Sequence, residues 1–591
     1  MEGIGRWLKN NRSLVILTAA LIAARVSLIF CTEQLWPSLE RFYTGTVAKE
    51  LADGMAMPLW DYQFSSYEAG WLLAALLCLP FFKLFGFTSF AMGLCGIILY
   101  VIQFVLLYRL IERGLNRRVA VFFGLQYLFA QYIFNLNALF VGFNYFNIVF
   151  LYALFLTFYR AVFRDNAIHG VVGGPLLSLF FLGLLGGFST WVCYAFALIA
   201  IPCFIHWWIY YRSRDLRTVV SFVAGFVLGG SPLFFRIATF AGGIKTDILA
   251  KIIAQDLPGF IAKFWHFIGF EHSYARSVFS DYLEILGTIL FALIIFLKRN
   301  DLGRLLGAVF GSRAVEEGES GTFLLFCLYP AAFLTVFCLS GFADYRYFAP
   351  VYPFVFAVNA IAVDLLLSYR NRFVKGLGAG CLGVLLLFGV ADSIIIPLYP
   401  VAPNLALFRD EAYSYELLGC LVSWRFKDDP RRVMRVVNRL SDDEKRTDLL
   451  RGFGFELAFD GNEELIKEYD VFFANTYRHR PAFLKAYSKG FVMGLGHEYF
   501  DGTPLGEYYP EVLRNIPRTG VERYLVKKLD LIDMLDPRYR PKCYIGLGFQ
   551  FSALEEEYGL DAEFVTHRIG TEYHDDFMRG VALGKTYTYR L

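Results

Sequence analysis

Carboxylates crowd one stretch of this chain. Residues 32–68 carry Glu33, Glu40, Glu50, Asp53, Asp61 and Glu68 against two cations, Arg41 and Lys49. At the rim of apolar spans such groups are the first candidates for polar chemistry, because a positioned carboxylate can take a proton from an attacking hydroxyl. Trp60, Tyr62 and Tyr67 stand among them. An aromatic face beside carboxylates can hold the apolar side of a sugar ring, although the commoner use of such residues is an interfacial belt. A second charged segment, Asp344-Tyr345-Arg346-Tyr347, opens a late apolar run. A third holds Lys263-Phe-Trp-His266 and Glu271-His272; either imidazole titrates near neutral pH and could assist proton transfer, with a packing or surface role the commoner reading. His266 and His272 fall on different helix faces, and the chain contains neither C-x-x-C nor H-E-x-x-H, so no metal site and no cofactor are expected.

Composition says what must position these groups. Of 591 residues, 57% are apolar and only 18% charged, with a mean hydropathy of +0.47. A soluble enzyme carries closer to a quarter charged residues, so this is a polytopic α-helical membrane protein. A net charge of +3 without a basic tract gives nucleic acid no electrostatic hold. Eight of the ten cysteines lie in or beside apolar runs, where a thiol is a small hydrophobe rather than part of a disulfide framework.

Crossing the hydrocarbon core takes about 20 apolar residues in helix. Runs of this kind occur at 13–31, 69–87, 90–110, 119–137, 141–159, 176–189, 191–210, 219–235, 282–297, 322–339, 348–367 and 377–398, which predicts eleven to thirteen spans. The stretch 172–210 reads either as two crossings or as one crossing with a half-helix. The first run ends in bulky Leu-Ile-Phe, so it is expected to remain as an uncleaved span. Basic segments at the amino terminus, 211–217, 298–313 and 369–375 belong on the cytoplasmic side. The acidic loop 32–68, a long segment at 237–281 and a short one at 341–347 then face outward. Arg109–Arg118 fits badly: its four arginines look cytoplasmic, yet counting every run as a crossing places it outside. Twelve crossings would return the tail to the cytoplasm, and an odd number would leave it outside.

Beyond about Pro400 charge density rises and the tail turns mildly acidic. Residues 1–400 are therefore read as the membrane domain and 401–591 as a soluble, mainly helical domain. Helical spacing occurs at 430–440, 463–469 and 481–500. Four glycine-bearing apolar runs begin at Arg451, Lys489, Ile545 and Arg579, and read as a degenerate array of helix pairs with glycine at close contacts. A phosphate-cradling loop is the rival, but no Lys-Ser or Lys-Thr follows these glycines.

The arrangement resembles the lipid-linked-sugar glycosyltransferases of the GT-C fold, among them protein O-mannosyltransferases and bacterial aminoarabinose transferases. The resemblance covers roughly the first 400 residues. It rests on the acidic loop after span one, an amphipathic surface helix ending Glu50-Leu-Ala-Asp-Gly54, the run ending Leu79-Pro-Phe-Phe-Lys-Leu-Phe-Gly86, Asp344-Tyr-Arg346-Tyr-Phe-Ala-Pro-Val-Tyr-Pro353, and the Gly183–Trp208 stretch. Tyr43, Ala48, Glu50 and Gly54 set a register that puts Glu40 at the family's catalytic Asp and Arg41 at the Glu after it. The usual Lys-Pro-Pro is replaced by Phe64-Ser-Ser-Tyr-Glu68.

What the resemblance implies is displacement at a sugar anomeric carbon with inversion, without metal. Glu40 is then the base and Asp61 the alternate; Arg346 holds the leaving polyprenyl phosphate with two parallel hydrogen bonds. Tyr345 and Tyr347 orient the donor head, while Trp60, Glu68 and His266 join the substrate site. The implied partners are a polyprenyl-phosphate sugar donor, the bilayer, an envelope acceptor and a protein partner of the tail. The implied setting is a bacterial inner membrane with the site facing outward. Departures from the family pattern at Arg41 and at 64–68 support a second reading, a non-catalytic scaffold with a partner-binding tail. A transporter is the third, with Asp364 and Asp392 the main ionisable residues within late spans, but no inverted repeat accompanies them.

Overall fold

The computed structural model describes residues 11–31, 39–64, 70–130, 134, 144–163, 175–211, 216–239, 278–300, 319–340, 350–395, 415–460, 463–487, 490, 518–533, 537 and 540–588. Among them the regular structure is helical, with no β-strand. The chain divides into two compact units: Met1–Asp53 with Ser65–Ala412, and Gly54–Phe64 with Tyr413–Leu591. The division differs from a single cut near Pro400 because eleven residues of the first loop belong to the second unit.

In the first unit α1 (Arg12–Cys31) is an apolar helix about 30 Å long, enough to cross a bilayer. The loop after it contains α2 (Leu39–Asp53), followed by α3 (Gly70–Phe85) and the long α4 (Ser89–Gly114). Helix α2 ends at Gly54, whose φ of +119° a side chain would strain. Contacts give the direction of α4. Its start lies beside the end of α1, with the Phe30 and Phe90 rings 6.2 Å apart and no room on Gly93 for a methyl group, which would come 2.8 Å from Ile29. Its end lies beside the start of α1, where the Tyr108 hydroxyl donates to Ser13 Oγ at 3.2 Å and Arg109 to Asn11.

Helix α4 therefore runs antiparallel to α1, and the chain between them leaves and re-enters on one face. In the run expected to cross at 69–87, α3 is helical over 16 residues, about 24 Å; Trp71, Leu72, Ala74, Ala75, Cys78 and Phe82 are buried in protein, while Leu76, Leu84 and Phe85 are exposed. Arg109 and Arg117 reach Asn11 and Ser13 at the start of α1, so the Arg109–Arg118 segment lies at the same end of the bundle as the basic amino terminus.

The next helix, α5 (Arg117–Leu128), is only 12 residues long, about 18 Å, too short to cross unaided. The apolar run was expected to continue as helix to 137; Phe134 is again helical, and the rest of 131–137 lies outside the described residues. Two side chains receive the end of α5. Tyr100 Oη donates to the Tyr127 carbonyl at 3.4 Å and Arg25 Nη2 to the Leu128 carbonyl at 3.1 Å.

After α6 (Asn144–Phe163), α7 (Pro175–Val192), α8 (Ala200–Tyr210) and α9 (Leu216–Gly229) follow. Helices α7 and α9 lock through two Gly-x-x-x-Gly faces. A methyl group on Gly183 would lie 2.0 Å from the Phe222 carbonyl oxygen, and one on Gly187 2.0 Å from that of Phe226. The partner residue advances with the glycine, so the two helices are parallel. Residues 194–210 therefore run back between them toward the end at which α7 begins. Helices α10 (Ser231–Thr239), α11 (Val278–Leu297), α12 (Glu319–Ser340), α13 (Tyr352–Ser368) and α14 (Arg372–Val390) complete the described part of the unit.

Helix ends gather on the basic face. Arg118 pairs with Asp364 at 2.9 Å, and Arg160 Nη2 donates to Thr322 Oγ1 at 3.1 Å. Tyr159 Oη and His206 Nδ1 are 2.9 Å apart. Asp364 is thus an end-of-helix ion pair.

In the second unit, α15 (Tyr415–Phe426), α16 (Pro430–Arg439), α17 (Asp443–Asp460) and α18 (Glu463–Thr476) precede α19 (Arg518–Asp533), α20 (Arg540–Tyr558), the short α21 (Glu563–Thr566) and α22 (His574–Thr588). Helix α16 is capped by Asp429, which accepts from the Arg432 amide at 3.0 Å, with Pro430 in the first turn. Glycines mark helix crossings: methyl groups on Gly452 and Gly548 would lie 1.7 Å from the Glu416 carbonyl oxygen and 2.0 Å from that of Phe577. Gly490 is equally tight against Arg451. In the expected helix at 481–500, residues 481–487 and 490 are helical, and the remainder lies outside the described residues.

Candidate functional site

Glu40 stands in the first turn of α2. That helix was expected to lie on the membrane surface. Its middle is instead enclosed by protein: Thr44, Thr46, Val47, Ala48 and Glu50 are buried, and the Tyr43 ring tilts on Trp71 of α3 at 5.4 Å. The expected apolar residue Val47 faces inward, but so do two threonines and a carboxylate. The Thr44 and Thr46 hydroxyls meet no hydrogen-bond partner among the described residues. Helix α3 forms the wall behind α2.

Trp60 and Asp61 belong to a single 3-10 turn, Leu59–Tyr62, inside the second unit. Trp60 is 70% exposed. Tyr62, grouped with it as an aromatic belt residue, is fully buried; its hydroxyl accepts from the Met57 amide at 3.2 Å and its ring meets Phe64 edge-on. The Asp61 carboxylate forms an ion pair with the guanidinium of Arg432, which also covers the Phe426 ring at 4.4 Å. Asp61 has a second cationic neighbour. Burial and the charge of Arg432 push Arg425 down to about 10, while Asp61 acts in the opposite direction. The Asp61 carboxylate thus serves as counter-ion to Arg432 and lies in the field of Arg425.

Glu68, His266, Tyr345, Arg346 and Tyr347 lie outside the described residues, as does the side chain of Glu40. Among the candidates, Trp60 and Asp61 are brought together, whereas Glu40 belongs to the other unit. Two buried ionisable residues, Arg25 and His206, escaped the sequence reading, and the burial of a third, Glu50, was not foreseen. Arg25 sits fully buried in span one, its guanidinium 5.2 Å from the Tyr100 ring centroid; Glu50 is 3% exposed, and His206 is fully buried in α8. A lone ionisable residue inside an apolar run is the signal that finds Arg25 and His206.

No family model matches this chain, and no curated protein matches it. Among solved structures it is similar to the oligosaccharyltransferase of Archaeoglobus fulgidus in complex with Zn and sulfate, at a TM-score of 0.42 and 12% identity over 71% of this chain. The chain spans 56% of that protein's length. It is also similar to ArnT from Cupriavidus metallidurans bound to undecaprenyl phosphate, at a TM-score of 0.39 and 15% identity, over 89% of this chain and 81% of that one.

Proposed function

We propose that this chain is a membrane glycosyltransferase that moves a sugar from a polyprenyl-phosphate donor to an acceptor hydroxyl, with inversion. The observation that carries the reading is the placement of Glu40. It lies on a helix that follows span one directly and has its central face enclosed by protein, and a base must be held still to within a fraction of an ångström. Glu40 takes the acceptor proton as the hydroxyl attacks the anomeric carbon. The bond to the donor phosphate breaks, and Arg346 binds the departing anion in a bidentate grip. Tyr345 and Tyr347 orient the donor head, with Glu68, Trp60 and His266 contributing to substrate binding. The carboxylate of Asp61, engaged with Arg432, leaves Glu40 as the base of choice.

The test separates the two roles. Glu40→Gln keeps size and hydrogen bonding but removes the basic oxygen, so transfer is expected to fall by roughly 10²–10⁴-fold while donor retention stays close to that of the parent. Arg346→Ala should lose donor retention itself. Equal binding of polyprenyl-phosphate sugar by Arg346→Ala and parent removes the phosphate role, and unimpaired transfer by Glu40→Gln removes the base.

A further inference from the structure

One i, i+4 row of α14, Arg372-Gly376-Gly380-Val384-Phe388, starts with a cation and continues with little side-chain bulk. From Gly376 onward this row, with Ile285 and Ile289 of α11, lines a groove of about 500 Å³ whose walls are apolar. The glycines of α7 are covered by a neighbouring helix, but a methyl group on Gly376 or Gly380 would meet nothing within 4 Å. Helix α14 is long and apolar enough to cross a bilayer, and little of it is buried in protein, so the groove opens to the hydrocarbon. From Gly376 to Phe388 it runs about 18 Å, close to one leaflet of a core about 30 Å thick.

The start of the row is charged. Arg370 and Arg372 are both exposed, and Asp364, the last carboxylate before them in sequence, is already engaged by Arg118 at 2.9 Å. Neither arginine forms an ion pair among the described residues. The positive end of the α14 dipole lies here too, capped at the Phe373 amide by Asn371 at 2.8 Å. Phe373, 81% exposed, shares a helix face with Leu377 and Gly380.

We propose that this groove binds an anionic glycerophospholipid, one acyl chain lying along the row against α11 and the phosphate held by Arg372 and Arg370. The apolar walls accept any chain, and the two guanidinium groups select a head with net negative charge. The donor of the proposed reaction belongs at the other end of the bundle. Arg118, paired with Asp364 just before Arg370, adjoins Arg117, which reaches Ser13 at the start of α1, whereas Glu40 follows the end of α1. The inference does not depend on the transferase reading.

The test uses full-length protein in phosphatidylcholine nanodiscs that carry a trace of phosphatidylglycerol with a photoreactive acyl chain, with crosslinks mapped to peptides. They are expected to concentrate on 376–388 and 285–289 and to exceed those of the matching phosphatidylcholine probe. In Arg370→Gln/Arg372→Gln they should fall roughly ten- to thirtyfold, the size that two juxtamembrane cations supply, with thermal unfolding unchanged because both side chains are exposed. Gly376→Leu/Gly380→Leu fills the groove floor and should lose labelling by both probes at these peptides. Equal labelling by the two probes, or no change in the arginine variant, overturns the proposal. So does displacement of the probe by polyprenyl phosphate more readily than by phosphatidylglycerol, which gives the groove to the donor, or crosslinking between two protein copies at 376–388, which gives it to a second chain.

Discussion

A guanidinium inside the first span carries a desolvation cost that the protein must offset. At Arg25 the offsets are identifiable: the Leu128 carbonyl at 3.1 Å, the Tyr100 hydroxyl at 3.4 Å and the Tyr100 ring. The carbonyl belongs to the last turn of α5, where the helix dipole favours a cation. Its Nε and Nη1 find no acceptor among the described residues. Arg25→Ala removes the donor and orphans a buried carbonyl, for an expected loss of about 1–3 kcal/mol in unfolding of the detergent-solubilised protein. Arg25→Lys, which keeps the charge without the fork, should fall between the two. A variant as stable as the parent would show that α5 ends for another reason. The residue itself was visible in sequence as a charge in an apolar run, but its partners, about a hundred residues away, were not.

Helices in this chain were legible as apolar runs, but what each does with its apolar surface was not. Helix α3 has the hydropathy of a span, yet Leu72, Ala74, Ala75 and Phe82 are buried in protein while Leu76, Leu84 and Phe85 are exposed, and composition does not distinguish burial in lipid from burial against a neighbour. Helix α5 stops at Leu128, where Tyr100 and Arg25 receive the carbonyls of Tyr127 and Leu128. Glycine spacing was more informative: Gly452, Gly490 and Gly548 stand where helices approach closely. The same reasoning gives a prediction of opposite signs. Gly225→Ala places a methyl group 2.0 Å from the Phe180 carbonyl oxygen and should cost about 1–3 kcal/mol by forcing α7 and α9 apart. Gly380→Ala meets nothing within 4 Å and should be neutral or stabilising by up to about 1 kcal/mol through helix propensity. Thermal unfolding of the two variants side by side checks the contrast, and equal effects would argue against the interlocked α7–α9 pair.

For the whole molecule, the second unit is discontinuous in sequence. Its smaller piece, the loop segment Gly54–Phe64, is a strap that contributes the buried side chains of Met57, Tyr62 and Phe64. At ~1.5–3 kcal/mol for each large apolar side chain buried, their absence is serious for a unit whose total stability is of the order of 5–15 kcal/mol. A fragment spanning 413–591 should therefore melt well below, and less cooperatively than, the same fragment with 54–64 fused through a flexible linker. Coincident melting curves would show that the strap is not part of the folded unit. A composition change near Pro400 could reveal the larger piece of this unit. It could not reveal the smaller one, because nothing local to Asp61 points to an arginine 371 positions away.

That separation also orders events during biosynthesis. The strap leaves the ribosome early, and α16 is made only after all the remaining spans. At about 5–20 residues per second the interval is roughly 20–70 s, during which a tyrosine, a phenylalanine and a carboxylate destined for burial wait without their cover. Nascent chains stalled in this window should offer the strap to chaperones, and chains released from it should not.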